Sequence, residues 1–317
     1  MLFAYARDDR KLLQLPLGDD LKTALWIDLY RPQPQQTASV RALGVEIPTL
    51  ADMEEIEVSN RLYREDSADY LTVVLPGLSE TKTPISGPVC FILQPDRLIT
   101  VRHHAPRPFE TYPARADKVG PGVADPRRVF LSLMEEVIGR LADLLEGSGH
   151  ALDALMTRVF SEGANATDTG LQEALRDVAR ESDLVSRVRL SLLTIERAIS
   201  YFGQSLGPAS DDLRPVVKGL MRDIQALEVH GDFLTSRVAM ATDVTLGMVN
   251  LAQNKTVKIV SVVAVIFLPP TVIASAYGMN FAHMPELGLT WGYPMALGLM
   301  LASAIGTYLF FKWKRWL

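Results

Sequence analysis

Hydrophobic and polar positions alternate over most of this chain, but near its end the alternation stops. Residues 259–275 and 291–311 contain no charged side chain. Each stretch approaches the roughly 20 apolar residues that a helix needs to cross a hydrocarbon layer of about 30 Å. The pattern predicts two membrane spans, over 259–277 and 291–311. Trp291 and Tyr293 open the second, and Tyr308, Trp313 and Trp316 close it, where amphipathic rings suit a membrane–water boundary. Lys255 and Lys258 precede the first span, Lys312, Lys314 and Arg315 follow the second, and the connection has neither Lys nor Arg. That asymmetry places both ends in the cytoplasm and the loop 278–290, with its single acid Glu286, outside.

Within the first span, steps of three and four pick out Asn254, Val257, Ser261, Ala264, Leu268, Thr271, Ser275 and Gly278. Such residues share one helical face. All but Val257 and Leu268 are polar or very small, while Ile259, Val263, Ile266 and Ile273 lie opposite. Periodicity alone allows a pore lining or a small-residue packing seam. Pro269 and Pro270 remove two backbone donors mid-span, which is tolerated where protein or water serves the freed carbonyls.

Upstream, 1–125 reads as a small α/β domain. Strands are predicted over 24–30, 70–75, 89–93 and 98–101, the last two joined by Gln94-Pro95-Asp96-Arg97. Residues 50–63 read as an acid-rich helix. A helical hairpin occupies 126–207, broken at SEGANATDTG, where Thr169 and Gln172 suit a capping box. A stalk helix over 208–258 tolerates Pro215 in its first turn. Its heptad runs through Leu213, Val217, Leu220, Ile224, Leu227, Gly231, Leu234, Val238, Ala241, Thr245, Met248 and Ala252. With no further proline before the first span, stalk and span form one helix approaching ~100 Å. A stripe of this length needs the chain's own hairpin or sister copies to cover it, and we read it as a homo-oligomer whose stalks converge on an axis. The fold class is thus an α+β membrane protein: cytoplasmic α/β domain, long stalk continuous with the first span, two C-terminal spans and a basic tail over 312–317.

Composition sharpens this picture. The chain of 317 residues is 48% hydrophobic and 22% charged, with a net charge of −5 and a mean hydropathy of +0.12. An acidic balance argues against nucleic acid as a partner. Cys90 is the single cysteine, so neither an internal disulfide nor a thiolate metal cage can form. The opening MLFAYARDDRKLL lacks the apolar core of a secretory signal. Gly203-Gln204-Ser205-Leu206-Gly207 matches a nucleophile elbow, but a helix precedes it where a strand is needed, so it reads as a helix-to-helix connector. His103-His104, at a strand end, point to opposite faces and read as structural. Asn165-Ala166-Thr167 would face the cytoplasm, away from glycosylation. Neither a P-loop nor a dinucleotide fingerprint occurs. The chain is therefore not read as an enzyme, and no cofactor is expected. The acids of 52–57, with Asp211, Asp212 and Asp223, read first as a solvated face and second as groups that meet across subunits around divalent ions.

Tyr277-Gly278-Met279-Asn280-Phe281, continued by Met284-Pro285-Glu286-Leu287 and Trp291-Gly292-Tyr293-Pro294, resembles the CorA family of magnesium and cobalt transport proteins. The likeness covers the whole architecture. Phe267 to Ile273 also resembles that family's first span, although the paired proline is not universal there. A sister family of ZntB-like zinc transporters usually replaces the methionine of Gly-Met-Asn, so Met279 favours the magnesium branch. The resemblance implies a homopentamer in the inner membrane, a central pore lined by the first spans, and Gly278, Met279 and Asn280 at its mouth as selectivity filter. It implies neutral Asn280 amides facing the waters of a Mg²⁺ ion that dehydrates reluctantly. Gly278 would let the backbone approach the axis, and Glu286 would add an attractive field. Asn254 and Thr271 match pore-facing polar positions, Leu268 and Val257 would gate by dewetting, and Ser261 and Ala264 would leave the bore wider. Cytoplasmic Mg²⁺ would hold the pore shut through acids that the sequence does not assign. Co²⁺ and Ni²⁺ are the expected passengers, Zn²⁺ transport with proton coupling the alternative, and the basic tail would anchor at anionic lipid headgroups.

Overall fold

The computed structural model describes residues 1–16, 20–162, 168–279, 284–288 and 290–314. Asn280, Phe281, Arg315, Trp316 and the Asn165–Thr167 sequon lie outside them, as does the side chain of Glu286. The described residues form two compact units, Met1–Met156 with Arg176–Thr242, and Thr157–Leu175 with Asp243–Leu317.

The first unit is built on a seven-stranded sheet ordered β2-β1-β3-β7-β6-β5-β4. Its strands are β1 (Leu2–Asp8), β2 (Lys11–Gln14), β3 (Trp26–Tyr30), β4 (Leu62–Glu65), β5 (Ala68–Leu78), β6 (Pro84–Leu93) and β7 (Leu98–Arg102). The predicted strands reappear as β3, β5, β6 and β7; β1 and β2 form an edge hairpin beside them. Only β3 and β7 pair in parallel among these strands. The helix expected over 50–63 is instead α2 (Leu50–Glu54), a link, α3 (Val58–Arg61) and then β4, after α1 (Pro34–Arg41). Thr49 and Asp52 cap α2 reciprocally, and Tyr63 joins the sheet to stack on Tyr70 at 4.6 Å between centroids. The aromatic pairing overrides the helical propensity of the acids.

Both sheet faces are buried, which is why β3 shows little alternation in its sequence. Ile27, Leu29, Ile92, Ile99 and Val101 form one core with Val40, Ile47 and Met53. On the other face Trp26, Phe91 and Phe109 meet Tyr112 of α4 (Pro108–Arg115) and Phe130 of α5 (Pro126–Glu162). A polar chain crosses that second face. Trp26 Nε1 donates to Thr100 Oγ1 at 3.1 Å, and Thr100 Oγ1 donates to Asp28 Oδ1 at 2.8 Å. Arg102 clasps Asp28 through Nε and Nη2, with the Nη2 bond at 2.8 Å, and donates from Nη1 to His104 O. Its guanidinium also lies over the rings of Tyr30 and Phe109, at 4.4 and 4.9 Å. Burial without loss of partners is what makes this ion pair tolerable.

His104 is 2% exposed and its Nε2 lies 2.8 Å from Leu75 O. Two glycines make room for the ring: a Cβ at Gly77 would come 2.7 Å from His104 Cδ2, and one at Gly87 2.9 Å from Nδ1. The two histidines are thus no metal pair, His104 being sealed in the hairpin. Ser205 Oγ is likewise committed, donating to Phe202 O at the end of α6 (Asp168–Ser205), so the GQSLG segment is a helix end.

The stalk and the first span are one helix, α7 (Arg214–Tyr277), with Pro215 in its first turn. The predicted heptad seam is already covered inside the chain. Leu213, Leu220, Ile224, Leu234, Val238 and Ala241 are buried. A Cβ at Gly203 of α6 would sit 3.2 Å from Val217, and one at Gly231 would sit 3.1 Å from Arg189 of α6. Arg189 pairs with Asp232 at 2.7 Å, and Arg237 pairs with Asp153 of α5. The hairpin therefore takes the seam that had suggested converging sister stalks. A second helix, α8 (Gly292–Trp313), is also long and apolar enough to cross a membrane, as predicted for 291–311.

Two outcomes follow for stability. Removing one partner of the Asp28–Arg102 pair, as in Arg102→Met, leaves a buried uncompensated charge and costs about 3–5 kcal/mol; a lowered denaturation midpoint of the detergent-solubilised full chain checks this. Burial lowers the pKa of His104 from 6.5 to about 4. Its folded pKa is depressed, so the unfolded chain takes up the proton first. The contribution is whole above pH 6.5 and falls by about 1.4 kcal/mol per pH unit towards pH 4. Comparing His104→Gln with the parent across that window isolates it.

Candidate functional site

The candidate site is the part of α7 that holds the predicted first span, with the stripe residues just beyond either end. Asn254, Val257, Ser261, Ala264, Leu268, Thr271, Ser275 and Gly278 are all exposed. Val262, Ile266, Pro269, Pro270, Ile273 and Tyr277 are buried or half-buried on the other side, again at steps of three and four. Ile266 and Ile273 match the predicted apolar face, whereas Ile259 and Val263 stay exposed.

Among the stripe residues, Ala264, Leu268, Thr271 and Ser275 come together in a groove of about 470 Å³ that ends at Met279 and is also walled by Phe267 and Val272. Asn254, Val257 and Ser261 lie below it on the same face. Two of the stripe's three hydroxyls bond back to the helix. Ser261 Oγ donates to Val257 O at 2.8 Å, and Thr271 Oγ1 donates to Phe267 O at 2.7 Å. Each hydroxyl has one proton and two lone pairs. With the proton spent on the preceding turn, the outward side of each oxygen can only accept. In the groove the Thr271 oxygen therefore offers lone pairs on a small-residue lane, with Leu268 as its bulky apolar member.

α7 ends where the signature begins. Gly278 N–H donates to Ala274 O at 2.9 Å, and Met279 N–H reaches Ala276 O at 3.4 Å. A Cβ at Gly278 would stand 3.1 Å from Ala274 O, so this helix end is tight as well as exposed. Pro285–Gly288 forms a short 3-10 turn before α8.

The stripe's seven-residue register continues below Asn254 through residues that sequence reading passed over. In the second unit these are Asn250, Gly247 and Asp243, all exposed. In the first unit they are Met240, Ser236, Phe233 and Val229, also exposed. The signal was available: Phe233, Met240, Gly247, Asn254, Ser261, Leu268 and Ser275 recur at every seventh position. The buried heptad two positions away masked it. Among the described residues no group of three or more His, Cys, Asp or Glu side chains could hold a metal ion.

Comparison with known proteins bears on the whole chain. The family described as CorA-like Mg²⁺ transporter protein matches residues 22–315. The magnesium transport protein CorA of Pasteurella multocida is 33% identical, with 100% of each sequence covered. The solved structure of the CorA magnesium transporter from Methanocaldococcus jannaschii superposes with a TM-score of 0.74 at 16% identity, over 100% of this chain and 99% of that one. The ZntB cytoplasmic domain from Vibrio parahaemolyticus is similar with a TM-score of 0.55 at 12% identity, over 80% of this chain and 97% of that one.

The stripe can be probed with thiol chemistry against a silent background, because native Cys90 is fully buried and burial pushes its thiol up to about 12. Cysteines introduced at Ala264, Thr271 and Ser275 are expected to react with a membrane-impermeant thiol reagent in the native membrane. Those at Val262, Ile266 and Ile273 are expected to stay unlabelled. Equal silence at all six sites would mark the stripe as a packing seam.

Proposed function

Since the chain belongs to the CorA-like Mg²⁺ transporter family, we propose that it is a passive Mg²⁺ channel of the cell inner membrane. It works as a homopentamer with both termini in the cytoplasm. The observation that carries this reading is the exposed lane of α7, two of whose three hydroxyls, those of Ser261 and Thr271, donate back onto the helix. A cation that keeps its water shell presents hydrogen atoms outwards, and such a shell needs acceptors along its route. Mg²⁺ is the common divalent ion that holds its waters most stubbornly.

Five copies of the lane around one axis would give rings of Asn254, Ser261, Thr271 and Ser275, spaced by small Ala264 and interrupted by apolar Val257 and Leu268. The apolar rings act as dewetting gates. At the mouth, Gly278, Met279 and Asn280 form the filter, with Asn280 offering neutral amide oxygens to the hydrated ion and Glu286 raising the local cation concentration. Below Asn254, rings of Asp243 would draw the ion onward. The exposed Val229, Phe233 and Met240 supply apolar surface for contact between stalks. The boundaries that fit this reading are a cytoplasmic α/β domain over 1–125, a hairpin over 126–207, a stalk over 208–258, spans over 259–277 and 291–311, an outer loop over 278–290 and a tail over 312–317. Lys312 and Lys314 sit where anionic headgroups would hold them.

No hydrolysis is required. A divalent cation entering a cell gains roughly 4.6 kcal/mol per 100 mV of inside-negative potential, at about 2.3 per charge. This sustains on the order of a thousandfold gradient. Co²⁺ and Ni²⁺ enter as passengers, and cytoplasmic Mg²⁺ closes the pore.

In liposomes holding the full-length protein, Mg²⁺ influx is expected to follow membrane potential and to ignore a pH gradient. Asn280→Ala is expected to lower Mg²⁺ flux by at least tenfold with assembly intact. Zn²⁺ flux that depends on the pH gradient would instead support the zinc alternative. Unchanged Mg²⁺ flux in Asn280→Ala would defeat the channel reading.

A further inference from the structure

A second charged feature lies in the first unit and plays no part in the proposed pore. Helices α4 and α5 enclose a cleft of about 510 Å³. One wall is a basic stripe at steps of four, four and three: Arg107, Thr111, Arg115 and Lys118. The facing wall on α5 carries Glu135, Glu136, Arg140 and Asp143, with Gly139 between them. A Cβ at Gly139 would meet nothing within 4 Å, so the floor there is open.

The charges do not cancel pair by pair. Glu136 is spoken for, accepting from Thr111 Oγ1 at 2.8 Å and from Arg115 Nη1 at 2.9 Å. Arg140 lies 3.9 Å from Asp143, a loose pair. The side chains of Arg107 and Lys118 have no ion pair or hydrogen bond among the described residues, and neither does that of Glu135. Two unpaired cations therefore stand on one wall, with one unpaired and one loosely held carboxylate on the other. Four cations and three carboxylates line the whole cleft.

Local repulsion alone would scatter such cations into water, and a lone anion would suffer from the carboxylates. A ligand that is itself both anionic and cationic satisfies both walls. The length of the stripe adds a constraint. Eight residues of helix separate Arg107 from Arg115, a rise of roughly 12 Å, so one phosphate group cannot serve both while a chain of linked phosphoryl groups can. Arginine suits planar, paired recognition of phosphate oxygens, and lysine supplies a point charge beside it. Long polyanions such as nucleic acid or an anionic membrane surface fit poorly, because the acids lie within the same cleft and the chain is net negative at −5.

We propose that this cleft binds the phosphate chain of a Mg²⁺-chelated polyphosphate. Arg107, Arg115 and Lys118 hold the phosphoryl oxygens, and Glu135 and Asp143 face the chelated cation, directly or through its waters. The source is a nucleoside triphosphate or a short inorganic polyphosphate such as tripolyphosphate, which share this chemistry. The inference stands on the first unit alone and survives or fails independently of the pore.

Isothermal titration of the full-length protein in detergent, with inorganic tripolyphosphate and separately with adenosine triphosphate, each with and without Mg²⁺, tests it. Saturable binding is expected at one site per chain, tighter with Mg²⁺. Arg107→Glu combined with Lys118→Glu, both at exposed positions, is expected to weaken binding at least tenfold, and Arg64→Glu on β4, at the sheet edge opposite the one that α4 packs against, to leave it unchanged. Glu135→Gln is expected to remove the advantage that Mg²⁺ confers while sparing the metal-free probe. Equal binding of both probes assigns recognition to the phosphate chain, and preference for one identifies its source. Absence of saturable binding by either probe up to millimolar concentration overturns the proposal. So does binding that the double substitution leaves intact, or that Arg64→Glu reduces equally. Near-ultraviolet circular dichroism of each variant confirms that the fold is retained.

Discussion

Helix α7 is covered along one register and left open along another, and the rest of the molecule follows from that division. One seven-residue register, through Leu213, Leu220, Leu234 and Ala241, is buried against α5 and α6. Another, offset by two positions and hence turned by about 200°, is exposed from Val229 to Gly278. Because the offset is constant, the helix can be clamped by its own chain on one side without occupying the other. A single register would have forced a choice between folding and presenting a surface.

That doubling also explains which parts of the fold were legible. Long periodic segments read well: α5, α6, α7 and α8 stand close to their expected positions, and Pro215 sits in the first turn of α7 as its backbone chemistry allows. The strands β3, β5, β6 and β7 were visible in their β-branched and aromatic runs. Where one signal overlay another, reading failed. The acids of 50–57 suggested a single helix, but Tyr63 gains more by stacking on Tyr70 within the sheet. The edge hairpin of β1 and β2 was not resolved from sequence, because Leu2–Asp8 pairs with residues both near and far along the chain.

The candidate site was legible in a similar, partial way. The stripe from Asn254 to Gly278 was spelled out by spacing; its residues are exposed, as are Ile259, Val260, Val263, Val265 and Phe267 beside them. Its downward continuation through Asp243, Met240 and Phe233 was hidden, since the stronger heptad beside it drew the eye. The Asp28–Arg102 clasp was invisible for another reason. An aspartate and an arginine far apart in sequence give no periodic signal, and only the parallel pairing of β3 with β7 brings them together. Likewise, Gly77 and Gly87 look like ordinary turn or strand glycines until the imidazole they accommodate is seen.

The tying back of the Ser261 and Thr271 hydroxyls has a consequence for ions of the opposite sign. Chloride or sulfate is solvated by hydrogen donors, and these two oxygens have none left to give. On the channel reading, these two positions would favour cations by the direction of their dipoles, alongside the fixed charges of Asp243 and Glu286. Discrimination by surface charge fades as salt shortens the reach of an electric field to about 8 Å or less. The dipolar part of such a preference has no such range to lose, whereas the part owed to Asp243 and Glu286 would weaken in brine.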